Sequence, residues 1–169
     1  MKKTVILFSL ALGLNSGLSA QKLETLEIGD VPKPVLDAFA KQYAGAQAKT
    51  YYPEGSDIEI FYTLNGKKSE SIYRNDGTWI ETETWIKVSD LPEAVRENIE
   101  SGDLGDWKIV NIEKVTLPDD NPFYEIDLKK DEKESQVYYD EAGTKLEDDR
   151  WLDEDEDDFA EADSEDNND

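Results

Sequence analysis

The sequence predicts an α+β fold: two tandem copies of a helix followed by about four antiparallel strands, with the helices packed on one face of the sheet. Three observations lead there. A proline-led helix start occurs at Asp30-Val31-Pro32 and again, sixty residues on, at Asp90-Leu91-Pro92. Later matches keep an offset of sixty-six: Ile58-Glu59-Ile60 with Tyr124-Glu125-Ile126, Gly77-Thr78 with Gly143-Thr144, and Ile80-Glu81 with Leu146-Glu147. Between these landmarks the residues alternate apolar and polar, the period of a strand with one buried face. The two copies are expected at 30–84 and 85–147, with a six-residue insertion in the second between its helix and its middle strands.

The chain is expected to open with a secretory signal peptide. Lys2 and Lys3 give a positive start, Val5 to Leu14 an apolar run, and Ser19-Ala20 a small-residue exit, so residues 1–20 are expected to be removed. The apolar run falls short of the roughly 20 residues that span a bilayer. With no Cys anywhere, attachment of a lipid to a thiol is excluded. A short linker, 21–29, leads into the first copy. The expected setting is periplasmic or secreted, without membrane insertion.

Each copy then begins with a helix. Pro32 and Pro92 suit a first turn, where the missing N–H has no intrahelical partner to lose. Val35, Phe39 and Tyr43 fall at i, i+4 and i+8, and Val95 and Ile99 match the first two. Ser89 or Asp90 is a candidate cap for the second helix. Strands follow. Ile58, Ile60, Tyr62 and Leu64 alternate with Glu59, Phe61 and Thr63 before Asn65-Gly66, a strong hairpin signal. Residues 67–74 return, Asn75-Asp76-Gly77 turns, and 78–84 close the copy. In the second copy, Trp107–Val115, Phe123–Lys130, Glu134–Tyr139 and Gly143–Glu147 read alike.

Hairpin pairing decides which residues share a face. A two-residue loop pairs Ile58 with Tyr73 and Ile60 with Ser71, and a three-residue loop pairs Tyr73 with Trp79 and Ile72 with Ile80. The richer face, with Ile58, Ile60, Tyr62, Tyr73, Tyr124, Ile126 and Leu128, belongs under the helices. The opposite face mixes Phe61, Ile72, Ile80, Tyr138 and Leu146 with Glu59, Thr63, Glu70, Thr82, Glu125 and Asp127. Those five apolar residues are the candidate protein-binding site. Trp85 and Ile86 are expected to fill the seam between the copies.

Composition excludes much. There is no His and no Cys, which removes His-based nucleophilic catalysis and His- or Cys-ligated zinc. No pair among 41 acidic residues stands out as an acid–base couple, so no catalytic residue is assigned and no enzyme activity, cofactor or metal site is expected. The formal net charge is −23, and loss of Lys2 and Lys3 takes it to −25. Such a field repels phosphate backbones, so nucleic acid is not an expected partner.

Fourteen acidic residues and one Arg fall in residues 147–169. Residues 148–169 are expected to be a disordered or partly helical acidic tail that attracts divalent cations weakly and without fixed stoichiometry. An EF-hand starting at Asp153 fails, because position 6 is Asp158 and position 12 is Ser164. Trp151, Leu152, Asp155 and Phe159 share one side of a helix and are expected to dock on the domain.

These features resemble the PepSY-like family, described as β-lactamase-inhibitor-like. The likeness rests on Val31-Pro32-Lys33-Pro34-Val35 with Leu91-Pro92-Glu93-Ala94-Val95, and on the hairpins ending Asp76-Gly77-Thr78 and Ala142-Gly143-Thr144. It covers about residues 28–148. It implies helices backing an antiparallel sheet, an extracytoplasmic setting, and relatives that inhibit enzymes by laying a concave sheet over them. The function expected is an exported, non-enzymatic binding module, an inhibitor or sequestering partner of another exported protein. The alternative is an acidic solubilising or cation-associating protein whose tail is the working part.

Overall fold

Residues 25–146 are described by a computed structural model. The expected signal peptide and the acidic tail, with its Trp151–Phe159 stripe, lie outside the described residues. Helix α1 (Lys33–Gln42) leads into strands β1 (Gln47–Glu54), β2 (Asp57–Leu64), β3 (Lys67–Arg74) and β4 (Trp79–Trp85). A 3₁₀ turn at Val88–Asp90 precedes α2 (Glu93–Ser101), followed by β5 (Lys108–Thr116), β6 (Phe123–Lys130), β7 (Lys133–Asp140) and β8 (Lys145–Leu146).

The expectation of two tandem helix-plus-strand copies is corrected here. Among the described residues, eight strands form one antiparallel sheet in chain order, accompanied by two short helices. Strand β4 pairs with β5 from Thr82↔Thr116 to Trp85↔Glu113. The physical reason is the edge: a sheet ending at β4 would leave a row of unpaired backbone donors and acceptors, and joining β5 satisfies them. Strand β1 is one outer edge, where Pro53 is tolerated because an edge strand can spare a donor.

Both helices lie on one side. Val35 and Phe39 of α1 pack with Ile58, Ile60, Tyr62 and Tyr73; Val95 and Ile99 of α2 pack with Ile112, Tyr124, Ile126, Leu128, Val137 and Tyr139. Those strand residues occupy the same face through the pairings Ile60↔Ser71, Ser71↔Thr82, Thr84↔Lys114, Lys114↔Tyr124 and Tyr124↔Tyr139. Between the two cores runs a strip of hydroxyls. Ser71 and Thr82 are 2.7 Å apart, Ser69 and Thr84 3.0 Å, and Tyr62 reaches Ser71 at 3.2 Å.

The expected helix starts hold, but the capping differs. Pro92 occupies the N-cap position of α2 with no side-chain cap, while Ser89 and Asp90 sit in the preceding 3₁₀ turn. The turns dock on the helices. Gly77 and Gly143 have φ of +86° and +83°, and a Cβ there would meet the Pro34 carbonyl oxygen at 2.6 Å and Ala94 at 2.9 Å. Each hairpin tip therefore rests on the first turn of a helix, and only Gly meets both conditions.

Candidate functional site

The pairings Ile58↔Tyr73, Ile60↔Ser71 and Tyr73↔Trp79 are as the hairpin loops require. The expected Ile72–Ile80 pair is not formed. A β-bulge sets Trp79 opposite Tyr73 and Glu81 opposite Ile72, leaving Ile80 without a cross-strand partner. One extra residue reverses strand parity beyond it. Thr82, expected on the far face, lies instead among the hydroxyls on the helix side, and Glu81 and Glu83 take the far face.

The centre of that far face carries three rows read across the strands. Glu59, Ile72 and Glu81 lie side by side on β2, β3 and β4. Phe61, Glu70, Glu83, Val115 and Phe123 follow across β2 to β6. Trp85, Glu113, Glu125, Tyr138 and Leu146 cross β4 to β8. Each row carries two glutamates, and all six are buried: Glu81 is 0 % exposed and Glu113, the most open, 5 %.

Of the five candidate residues, four share this face and form two groups. Phe61 is half-buried, its ring 5.4 Å from Tyr52 and 6.1 Å from Trp85. Tyr138 and Leu146 pair directly and pack with Val115, Leu117 and Phe123. Ile72 is buried between Glu59 and Glu81. Ile80 is half-buried at the bulge and joins neither group. Trp85 pairs with Glu113 across the β4–β5 seam and lies on this face, whereas Ile86 packs against the core under α2.

Burial of a carboxyl disfavours its charged form and raises its pKa. Burial pushes the Glu81 carboxyl up from 4.5 to about 8, with Glu125, Glu59 and Glu54 adding repulsion. Burial likewise raises Glu59, Glu70, Glu83 and Glu113, and neighbouring carboxylates raise each further. Glu70 sits directly opposite Glu83 and hydrogen-bonds both Glu59 and Glu83, a geometry that requires shared protons. Like charges placed opposite one another would otherwise repel.

The hydrogen bonding is incomplete. Among the described residues, Glu59 Oε1, both carboxyl oxygens of Glu81, and Glu83 Oε2 are buried with no partner. Glu125 differs, because Gln136 donates to it. The ion pairs among the described residues, Lys33–Asp37, Lys114–Glu141, Lys129–Glu134 and Lys130–Asp106, all lie elsewhere.

Sequence reading missed this cluster because six of 41 acidic residues carry no mark of their own. The available signal is company: strand alternation puts Glu59 and Glu70 on the same face as Phe61 and Ile72. No group of three carboxylates among the described residues is arranged to hold a metal ion. A cleft of about 460 Å³ opens on the helix side, lined by Tyr43, Tyr62, Trp79 and the hydroxyls of Ser69, Thr82 and Thr84. Most of those hydroxyls already bond one another.

The fold has solved counterparts. A periplasmic protein of Bacteroides eggerthii, described as putative, aligns with a TM-score of 0.66 at 20 % identity, over 69 % of this chain and 86 % of that one. A DUF2874 family protein of Bacteroides ovatus gives 0.65 at 22 %, over 69 % and 84 %. A protein of Bacteroides fragilis described as BLIP-like gives 0.62 at 20 %, over 68 % and 82 %. At these identities the likeness establishes the shared fold. No curated protein matches the chain. The sequence pattern of one family, described as "Putative beta-lactamase-inhibitor-like, PepSY-like", matches residues 62–147, more than half of the chain. The chain belongs to this PepSY-like family.

Proposed function

We propose that this protein is an exported, non-enzymatic binding module that engages another extracytoplasmic protein through the sheet face away from its helices. One observation carries the reading. Both described helices cover one face, while the other presents the half-buried Tyr52–Phe61–Trp85 rings beside carboxyls that lack partners. Aromatic groups of this kind lead the energetics of protein interfaces. The family description and the similar BLIP-like fold support an inhibitor or sequestering role. Similar structures described as periplasmic support the compartment, and no described helix is long and apolar enough to cross a membrane.

The test is positional. Photo-crosslinking residues at positions 61 and 85 are compared, in the native host, with the same residues at Asp37 and Glu97 on the exposed sides of the helices. The expected result is one exported protein captured from the sheet positions alone, and retained when residues 148–169 are deleted. Capture from the helix positions instead, or loss of capture with the tail, overturns the reading. The second outcome would favour the tail as the working part.

A further inference from the structure

We infer that the orphaned oxygens of Glu59, Glu81 and Glu83 form the receptor for an arginine side chain presented by a protein partner. The inference rests on the binding-module reading above and names the chemistry of the partner at that face.

Donor counting supports it first. Four buried carboxyl oxygens have no hydrogen-bond donor among the described residues. Protonation does not solve this, since a carboxyl that donates its own hydrogen still keeps acceptor sites that want donors. Buried polar groups in folded proteins are almost always satisfied, and an orphan calls for a missing partner. A guanidinium offers five N–H donors in a plane and no acceptor, the complement of such a set.

Geometry narrows the class of cation. The carboxyls are not arranged in a group of three that could close around a metal ion. They spread instead over two adjacent rows on β2 and β4, with Ile72 between Glu59 and Glu81. A flat, extended cation spans such a spread and a point charge does not. Phe61 borders Glu70 in the second row, with Tyr52 and Trp85 in ring contact beside it. Arginine stacks on aromatic faces as well as pairing with carboxylates. The half-buried rings form the entrance, and their side chains must turn to admit the guanidinium.

Docking then exchanges protons for the cation. Carboxyls held protonated by burial ionise when a fixed positive charge arrives, and each proton lost passes to solvent. Surface carboxylates that are already ionised release none, which separates this site from the strongly acidic remainder of the chain.

The experiment is calorimetric titration of a blocked tri-arginine peptide into the chain 21–169, which keeps every described residue. Runs at pH 7 in phosphate and in Tris buffers, which differ in ionisation enthalpy, read the proton count. The expected result is release of about one proton per peptide bound. The Glu81→Gln/Glu83→Gln variant should lose that release and bind at least tenfold more weakly. A control variant, Asp37→Asn/Glu97→Gln, should keep both.

Binding without proton release, or unchanged release and affinity in the cluster variant, overturns the inference. If the cluster variant fails to fold, proton release by the unmodified chain still decides. Failure here with intact crosslinking at position 61 removes the arginine receptor and leaves the binding face. Loss of that crosslinking removes both.

Discussion

On the helix side of the sheet, Ile60 and Ile126 are completely buried in the cores that α1 and α2 cover. One residue back along the same strands, Glu59 and Glu125 point to the other face and are 2 % and 1 % exposed. An alternating strand ordinarily sends its apolar residues inward and its polar residues to water. Here both parities are buried at the sheet centre, and the chemistry of burial is opposite. One side gains from removing apolar surface, roughly 1.5–3 kcal/mol for each large side chain. The other bears the desolvation of carboxyls that only protonation makes tolerable. Position in the sheet, not polarity, decides burial.

The contrast can be broken most forcefully from the apolar side. Ile60→Ser or Ile126→Ser should each destabilise by roughly 2–5 kcal/mol, since each empties a fully buried site and inserts a hydroxyl. Denaturant midpoints check this. Ile72→Ser, which differs in parity, should also destabilise, by about 1–3 kcal/mol, because Ile72 is 3 % exposed. Phe61→Ser should cost less than either, as Phe61 is only half-buried. Equal losses at Phe61 and Ile60 would make the far face a core like the first.

Next in size come the hairpin tips. Gly77→Val and Gly143→Val should each lower stability by on the order of 1–3 kcal/mol, since both combine positive φ with a backbone neighbour closer than 3 Å to a new Cβ. A smaller loss is expected at Gly66, where φ is +79° but nothing lies within 4 Å. Similar losses at all three would show that backbone conformation alone matters there.

Smallest is the surface. Asp37→Asn removes an exposed i,i+4 pair with Lys33 and should leave the midpoint unchanged.

Much of this architecture was legible in the chain, and the failures have physical causes. Helix starts at Pro32 and Pro92, the Asn65-Gly66 hairpin and the Ile58–Tyr73 register all follow from local rules of backbone geometry. Strand β1 was not, because Gln47–Glu54 carries no clear alternation and contains Pro53. Fusion into one sheet depends on the long-range pairing of β4 with β5, which no local pattern encodes. The bulge at Trp79–Ile80 is one residue of slack in a short loop, yet it moved Thr82 to one face and Glu81 and Glu83 to the other. The candidate site is therefore half legible: alternation puts Phe61, Ile72, Tyr138 and Leu146 on this face together with Glu59, Glu70 and Glu125, but the bulge that adds Glu81 and Glu83, and the burial of all these carboxyls, leave no mark in the sequence.

The central claim, a buried face of protonated carboxyls, is tested most directly by thermal midpoint against pH for the unmodified chain and Glu81→Gln. The folded Glu81 carboxyl titrates at about 8 and an unfolded glutamate near 4.5. Between those values the folded state holds the extra proton. Its contribution is thus complete below pH 4.5 and is lost as pH rises through 8. The unmodified chain should fall in midpoint from pH 5 to pH 8. Glu81→Gln, which cannot ionise, should fall less steeply and exceed the unmodified chain by on the order of 1–3 kcal/mol at pH 8. Parallel curves for the two proteins would show that Glu81 is ionised in the folded state, and the account of the far face would be contradicted.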